Sequence, residues 1–344
     1  MGMKKTGAWI PLCIALTACL AGFQGRAEIL LADPTIAHLG DRYYLLGTEN
    51  GLGARPGTKA SGKAVFPMYV SQDLVTWRLA DTPNGEGRLL ARTDAFGAGN
   101  FWAPQLFARA GRYFLAYTAD YHWGLAVAER PEGPFKPYVE FPRQKEQTID
   151  PFVFQDADGR VYAYYSCGNL CGTVGVELSS DLRSFAGTPV RCVTNDRDWE
   201  RLPLDASAKA VKPAGGEGRI PLRRRLYGGA DGHPAARKVC ALLLRQRLPF
   251  AGLLRRRRRG QSSAGAVAEG RGRPVLSRAV TGFGGTGHGD AFVGPDGAVW
   301  YVFHAHHSGL RVSPRRTGVI RLNERLDDDG FPRYEADVES MRLL

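Results

Sequence analysis

One phrase recurs along this 344-residue sequence, and it restricts the fold more than any other feature. A small or acidic residue, usually followed by Pro, opens an alternating apolar run. A turn containing Gly then leads into an aromatic strand. The copies are Asp33-Pro34 with TIAHLGDRYYLLGT, Ala103-Pro104 with QLFARAGRYFLAYT, Asp150-Pro151 with FVFQDADGRVYAYYS, and Gly289-Asp290 with AFVGPDGAVWYVFHAH. Turn residues joining two alternating apolar runs mark a β-hairpin. Second halves follow, as in MYVSQDLVTWRLAD, GLAVAERPEGPFKP and GVELSSDLRSFAGTP. Each unit therefore supplies about four short strands, one blade of a propeller. The copies open at 33, 103, 150 and 289, so the last step is about twice an ordinary one. The expectation is an all-β, five-bladed β-propeller over residues 28–344, with its fourth blade corrupted within residues 219–272.

That segment is also where the charge sits. The chain carries a formal +12, which would suggest a polyanionic partner. Residues 219–272 contain 14 Lys or Arg against Asp231 and Glu269, a net +12, so the remainder is neutral. Arg and Leu runs replace strand alternation here. Three explanations stay open: a disordered basic insert that binds a polyanion through Arg255 to Arg259, a surface loop, or a blade read in the wrong frame of a GC-rich gene. For the third, synonymous codons exist for Val239 to Gly270 whose reading one base later gives an aromatic strand and a turn like those of the second unit.

The N-terminus reads as an export signal over residues 1–27. Lys4 and Lys5 precede an apolar run from Ala8 to Phe23, short for a membrane span. Leu16-Thr17-Ala18-Cys19 fits a bacterial lipobox, with signal 1–18 removed and Cys19 lipidated as a membrane anchor. The alternative is plain cleavage after Ala27. Either implies an exported bacterial protein, periplasmic, extracellular or held at the outer membrane. Disulfides are then permitted, and Cys167, Cys171 and Cys192 are candidates, with one left over and the pairing open.

First strands of propeller blades line the central channel, so Asp33, Trp102-Ala103-Pro104 and Asp150 converge at one mouth. Carboxylates meeting in an aromatic-walled pocket suit glycoside hydrolysis: one acid protonates the leaving oxygen and one base activates water. Asp-Pro at a single blade start would simply cap a turn; two copies in register favour chemistry. Phe101, Trp102 and Trp123 are candidate sugar-stacking surfaces, though core packing explains any one of them equally well. Arg311 is a candidate substrate contact, with a surface salt bridge as its alternative. His304 and His306 share one strand face with His307 opposite, and zinc spacing is absent.

Together LADPTI, FWAPQLF, TIDPFVF and GTGHGDAF resemble glycoside hydrolase family 43, the arabinanases, α-L-arabinofuranosidases and β-xylosidases. The resemblance covers about residues 28–218 and 273–344. It implies Asp33 as general base and Asp150 as the carboxylate that orients the acid and raises its pKa. The acid itself would be a Glu in a Glu-Gly-Pro-like start. Here Glu217-Gly218 is followed by Arg219, a departure from that pattern, and Glu217 is the candidate acid. The resemblance also places His288 near a channel axis where calcium often sits among waters, a structural ion rather than a cofactor of the chemistry.

The expected activity is inverting hydrolysis of arabinose- or xylose-containing plant polysaccharide, by a monomer with no nucleic-acid partner. The main alternative is a catalytically inactive carbohydrate-binding propeller whose acid-bearing blade is disrupted. A polyanion binder and a propeller of the fructan- and sucrose-cleaving kind are weaker options.

Overall fold

A computed structural model describes residues 28–49, 63–143, 147–156, 158–167, 173–193, 275–326 and 332–344. The signal segment with Cys19, Cys171, Glu217 and the basic stretch 219–272 lie outside the described residues.

The described strands form four antiparallel sheets. Blade 1 holds β1 (Leu31–Leu39), β2 (Arg42–Glu49), β3 (Ala64–Ser71) and β4 (Arg78–Leu79), with β5 (Arg88–Ala91) also paired to β3. Blade 2 runs β6 (Trp102–Arg109), β7 (Arg112–Ala119), β8 (His122–Ala128), β9 (Lys136–Glu140). Blade 3 runs β10 (Thr148–Gln155), β11 (Val161–Cys167), β12 (Thr173–Leu178), β13 (Val190–Val193). Blade 4 runs β14 (Gly287–Val293), β15 (Val299–Ala305), β16 (Arg316–Leu326), β17 (Pro332–Leu343).

This is a four-bladed propeller among the described residues, and it corrects the five-bladed expectation. That expectation converted chain length into a blade. The doubled step between the copies at 150 and 289 measures residues, whereas a strand needs alternation, and the Arg and Leu runs of 219–272 have little of it.

The second strand of each blade is buried over most of its length: β7 ends in six buried residues and all seven of β11 are buried. Blades pack face to face, so both faces of this strand are covered and its sequence reads as a near-continuous apolar run. One core joins blades 1 and 2 through Leu46, Phe66, Leu106 and Tyr117. A second joins blades 2 and 3 through Phe114, Trp123, Val153 and Tyr165. A third joins blades 4 and 1 through Ile36, Leu45, Trp300 and Val302.

The segment leading into β1 meets the last residue of the sequence in the last of these contacts. The Ile29 amide donates to the Leu344 carbonyl at 2.8 Å, and the Thr317 amide donates to the Ile29 carbonyl at 3.2 Å. The Leu31 amide adds a bond to Thr317 Oγ1 at 3.0 Å, tying blade 1 to blade 4 beside the channel.

Candidate active site

Every first strand breaks register once, at its channel-mouth end. The breaks fall between Ala32 and Thr35, Trp102 and Gln105, Ile149 and Phe152, and Gly287 and Asp290. Each is a bulge in which two residues oppose one on the partner strand. The first bulged residue has positive φ in all four: Asp33 at 48°, Ala103 at 46°, Asp150 at 57°, His288 at 25°. Non-glycine residues seldom adopt this conformation, and its fourfold use at one mouth marks a functional position.

The register also corrects the phase of the last repeat. The counterpart of Asp33-Pro34 is His288-Gly289, not Gly289-Asp290. Glycine is required at the second bulge position of blade 4, because a Cβ at Gly289 would overlap the Val302 carbonyl. Asp290 is the counterpart of Thr35, Gln105 and Phe152, one step below the rim.

Side chains at the ends of three second strands hold the bulges of the following blades in place. Thr48 Oγ1 accepts the Ala103 amide at 2.8 Å, and Thr118 Oγ1 accepts the Asp150 amide at 2.9 Å. His304 Nδ1 accepts the Asp33 amide at 3.0 Å. Blades 1, 2 and 4 thus each position the bulge of the following blade, and the Asp33 and Asp150 carboxylates are carried on strands rather than on loops. Because Nδ1 of His304 accepts that bond, its ring proton resides on Nε2.

Asp33 is the centre of the cluster. Its Oδ1 lies 3.0 Å from His288 Nδ1 and 3.5 Å from Arg315 Nη1, while Oδ2 accepts the Thr48 hydroxyl at 2.8 Å. Burial alone would raise the Asp33 pKa, but the charge and hydrogen bond of His288, then the charge of Arg315, hold it well below the usual carboxylate range. His288 is the complement. Burial pulls its pKa down, yet the charges of Asp33 and then Asp150 outweigh this and push it to about 9. The imidazolium of His288 therefore links the two carboxylates while donating to one of them.

Asp290 is a third carboxyl, one step below Asp33 and Asp150. Burial pushes its pKa to about 7, against the Ala291 amide and the charge of His288. Its Oδ1 is buried with no hydrogen-bond partner.

The remaining candidates separate. Trp102 sits half-buried at the mouth, edge-on to Tyr121 with ring centroids 5.4 Å apart. Phe101 packs against the core of blades 1 and 2, with the Arg92 guanidinium 4.8 Å above its ring. Trp123 is 1% exposed and stacks on Phe141 at 4.0 Å, so its ring has no open face for a sugar. Arg311 lies exposed in the loop between β15 and β16, its Nε donating to the Ser313 carbonyl at 2.8 Å. Arg315, four residues on, is the arginine that reaches Asp33.

His288 is hydrogen-bonded to Asp33, which favours its protonated form, and no group of three or more His, Cys, Asp or Glu side chains placed to hold a metal occurs among the described residues. Cys167 is disulfide-bonded, and the Cys192 thiol donates to the Val190 carbonyl at 3.4 Å.

Thr48, His304, Arg315 and Tyr121 were not singled out for the site from sequence. A signal for the first two was available: aligned repeats end their aromatic strands in Thr48, Thr118, Ser166 and His304.

An ionised carboxylate, a cationic His–Arg pair and a second carboxylate at the mouth of a β-propeller describe a glycosidase-like pocket. Comparison with known proteins decides the family. A profile of glycosyl hydrolases family 43 matches residues 27–213. The chain belongs to this family. A β-xylosidase of Xylanibacter ruminicola is 44% identical over 135 residues, 30% of this chain and 41% of that protein. Xylosidase/arabinosidase 43A of Humicola insolens is 41% identical over 76 residues, 21% of this chain and 22% of that protein. The chain thus spans less than half the length of these curated relatives. A crystal structure of a thermostable family-43 glycoside hydrolase superposes with a TM-score of 0.61 at 22% identity, over 90% of this chain and 93% of that one. That likeness concerns the fold.

Proposed function

We propose that this family-43 chain is an inverting glycosidase acting on arabinose- or xylose-containing polysaccharide. The observation that carries the reading is the Asp33 cluster: a carboxylate kept ionised by His288 and Arg315 at a channel mouth, beside Asp150 and Trp102. In this reading Asp33 takes a proton from water as the water attacks the anomeric carbon. An acid on the opposite face donates a proton to the leaving oxygen, and configuration inverts. Asp150 orients that acid and keeps its pKa raised. Glu217 fills the acid's role, on the strength of its Glu-Gly sequence.

The chemistry needs no resident metal in this scheme. His288 and Arg315 fix the Asp33 carboxylate and offset its charge, which favours the ionised form over a wide pH range. Trp102 supplies an apolar wall for one sugar ring. Export, with anchoring through Cys19, would place the protein where polysaccharide is met.

The test is hydrolysis of 4-nitrophenyl α-L-arabinofuranoside and β-D-xyloside, with the anomer of the first product read by NMR. Turnover that gives the inverted anomer and is lost in Asp33→Asn supports the reading; retention of configuration overturns it.

A second reading, a carbohydrate-binding propeller without turnover, has one observation in its favour. The family match ends at residue 213, before Glu217. Binding of pentose oligosaccharides with no hydrolysis of either glycoside would select it.

A further inference from the structure

The connection between β7 and β8 is the tightest a hairpin permits. Ala119 and His122 form the last pair, leaving Asp120 and Tyr121 as a two-residue turn. Both have positive φ, 45° and 67°. Such turns match the twist of the flanking strands and are normally filled by Asn, Asp and Gly. Asp120 conforms. Tyr121 does not, since a bulky residue in the left-handed region is disfavoured and persists only where the surroundings enforce it.

Here the surroundings do enforce it. The Asp120 carboxylate accepts the amides of Ala98 at 2.7 Å and Gly99 at 2.9 Å, while its own amide donates to the Gly99 carbonyl at 2.8 Å. On the other side, the Tyr121 carbonyl accepts the Thr148 amide at 3.0 Å, at the start of β10. The turn is clamped between the loop that precedes β6 and the strand that carries Asp150.

What the clamp presents is an aromatic corner. Trp102 and Tyr121 meet at an interplanar angle of 79°, and both remain partly exposed. Trp102 directly precedes the bulged Ala103, in the blade between those of Asp33 and Asp150. The Tyr121 hydroxyl has no hydrogen-bond partner among the described residues. Core packing does not account for the side chain, because Tyr121 belongs to none of the core clusters. A sugar ring offers an apolar C–H face and a polar edge. Two perpendicular rings ending in a phenol match both at once.

We propose that Tyr121 is a specificity-determining residue that, with Trp102, forms the aromatic corner receiving a pentose ring of the substrate. The proposal rests on the glycosidase reading, or on the binding reading, since both require that ring to be held here.

The test replaces Tyr121 by Gly and, separately, by Asn, two residues that suit the turn, with Tyr121→Phe as the conservative control. Each full-length chain is melted and titrated with xylotriose and arabinotriose by calorimetry. A merely structural Tyr121 predicts Gly and Asn variants as stable as the original and binding equally well. The corner predicts equal or higher Tm with sugar affinity about tenfold weaker, KM rising more than kcat falls, and affinity largely retained in Phe. Unchanged affinity in both turn-compatible variants overturns the inference. If the unaltered chain binds neither trisaccharide, the functional reading fails and this inference falls with it.

Discussion

The hydroxyl of Thr48 donates a 2.8 Å hydrogen bond to Oδ2 of Asp33. The same oxygen accepts the amide of Ala103 from the next blade, so one threonine supports the catalytic candidate and a buried backbone group together. Thr48→Val keeps the shape and removes both bonds. An unsatisfied buried amide costs roughly 1–3 kcal/mol, so the melting temperature should fall by several degrees. Thr48→Ser should restore most of the loss. Calorimetric melts of the three chains check this, and a Val variant as stable as the original would remove the proposed coupling of the bulges.

Much of this architecture was legible in the repeats. Alternation, Gly turns and aromatic runs marked the first two strands of all four blades, because the first strands alternate between buried and partly exposed positions and the second are buried over most of their length. Asp33 and Asp150 were legible because they share one bulge position. Blade number was not, since the spacing from 150 to 289 measures chain length and not pairing. Arg315 escaped for a related reason. It leaves the β15–β16 loop just before β16 begins, and which of Arg311, Arg315 and Arg316 turns inward depends on loop geometry, not on periodicity. Trp123 and Trp102 look equally suited to a sugar in sequence; only packing on Phe141 separates them.

Asp33→Asn should abolish turnover by at least about 100-fold, the scale of a general-base contribution, and should also change His288. With its nearest anion removed, the His288 pKa should drop from about 9 towards the ordinary imidazole value. An NMR titration of the His288 ring in both chains reads this independently of activity. A His288 that titrates unchanged in Asp33→Asn would contradict the ion pair.

Arg315 and Arg311 make a discriminating pair. Arg315→Met removes a cation 3.5 Å from Asp33 and should raise the lower limb of the pH–rate profile as the Asp33 pKa climbs. Arg311→Met, in the exposed loop, should leave that limb in place. Profiles of kcat/KM for both variants decide between them.

His288 also makes stability depend on pH. Its folded pKa of about 9 exceeds the unfolded 6.5, so the native state binds the extra proton. This contribution is fully present below pH 6.5 and is lost as pH rises through about 9. Asp33 has the opposite sign: its stabilisation is present above pH 3.8 and lost as pH falls. Melting temperature should therefore decline between pH 6.5 and 9 in the original chain and less in His288→Asn.

Asp290 adds a second decline at lower pH, separable by mutation. Burial raises its folded pKa to about 7 from an unfolded 3.8, so folding favours the protonated carboxyl. Stability is greatest below pH 3.8 and is lost progressively as pH rises to about 7, above which a charged, buried and half-unpaired group must be held in place. Asp290→Asn keeps an acceptor for the Ala291 amide and cannot ionise. It should melt higher than the original at pH 8, by the equivalent of roughly 1–3 kcal/mol, and match it more closely at pH 4. Its stability should also be flat between pH 4 and 7, apart from what other groups contribute. If the variant loses stability at pH 8, Asp290 is charged and compensated there, and the buried oxygen is satisfied in solution by a group the fold does not supply.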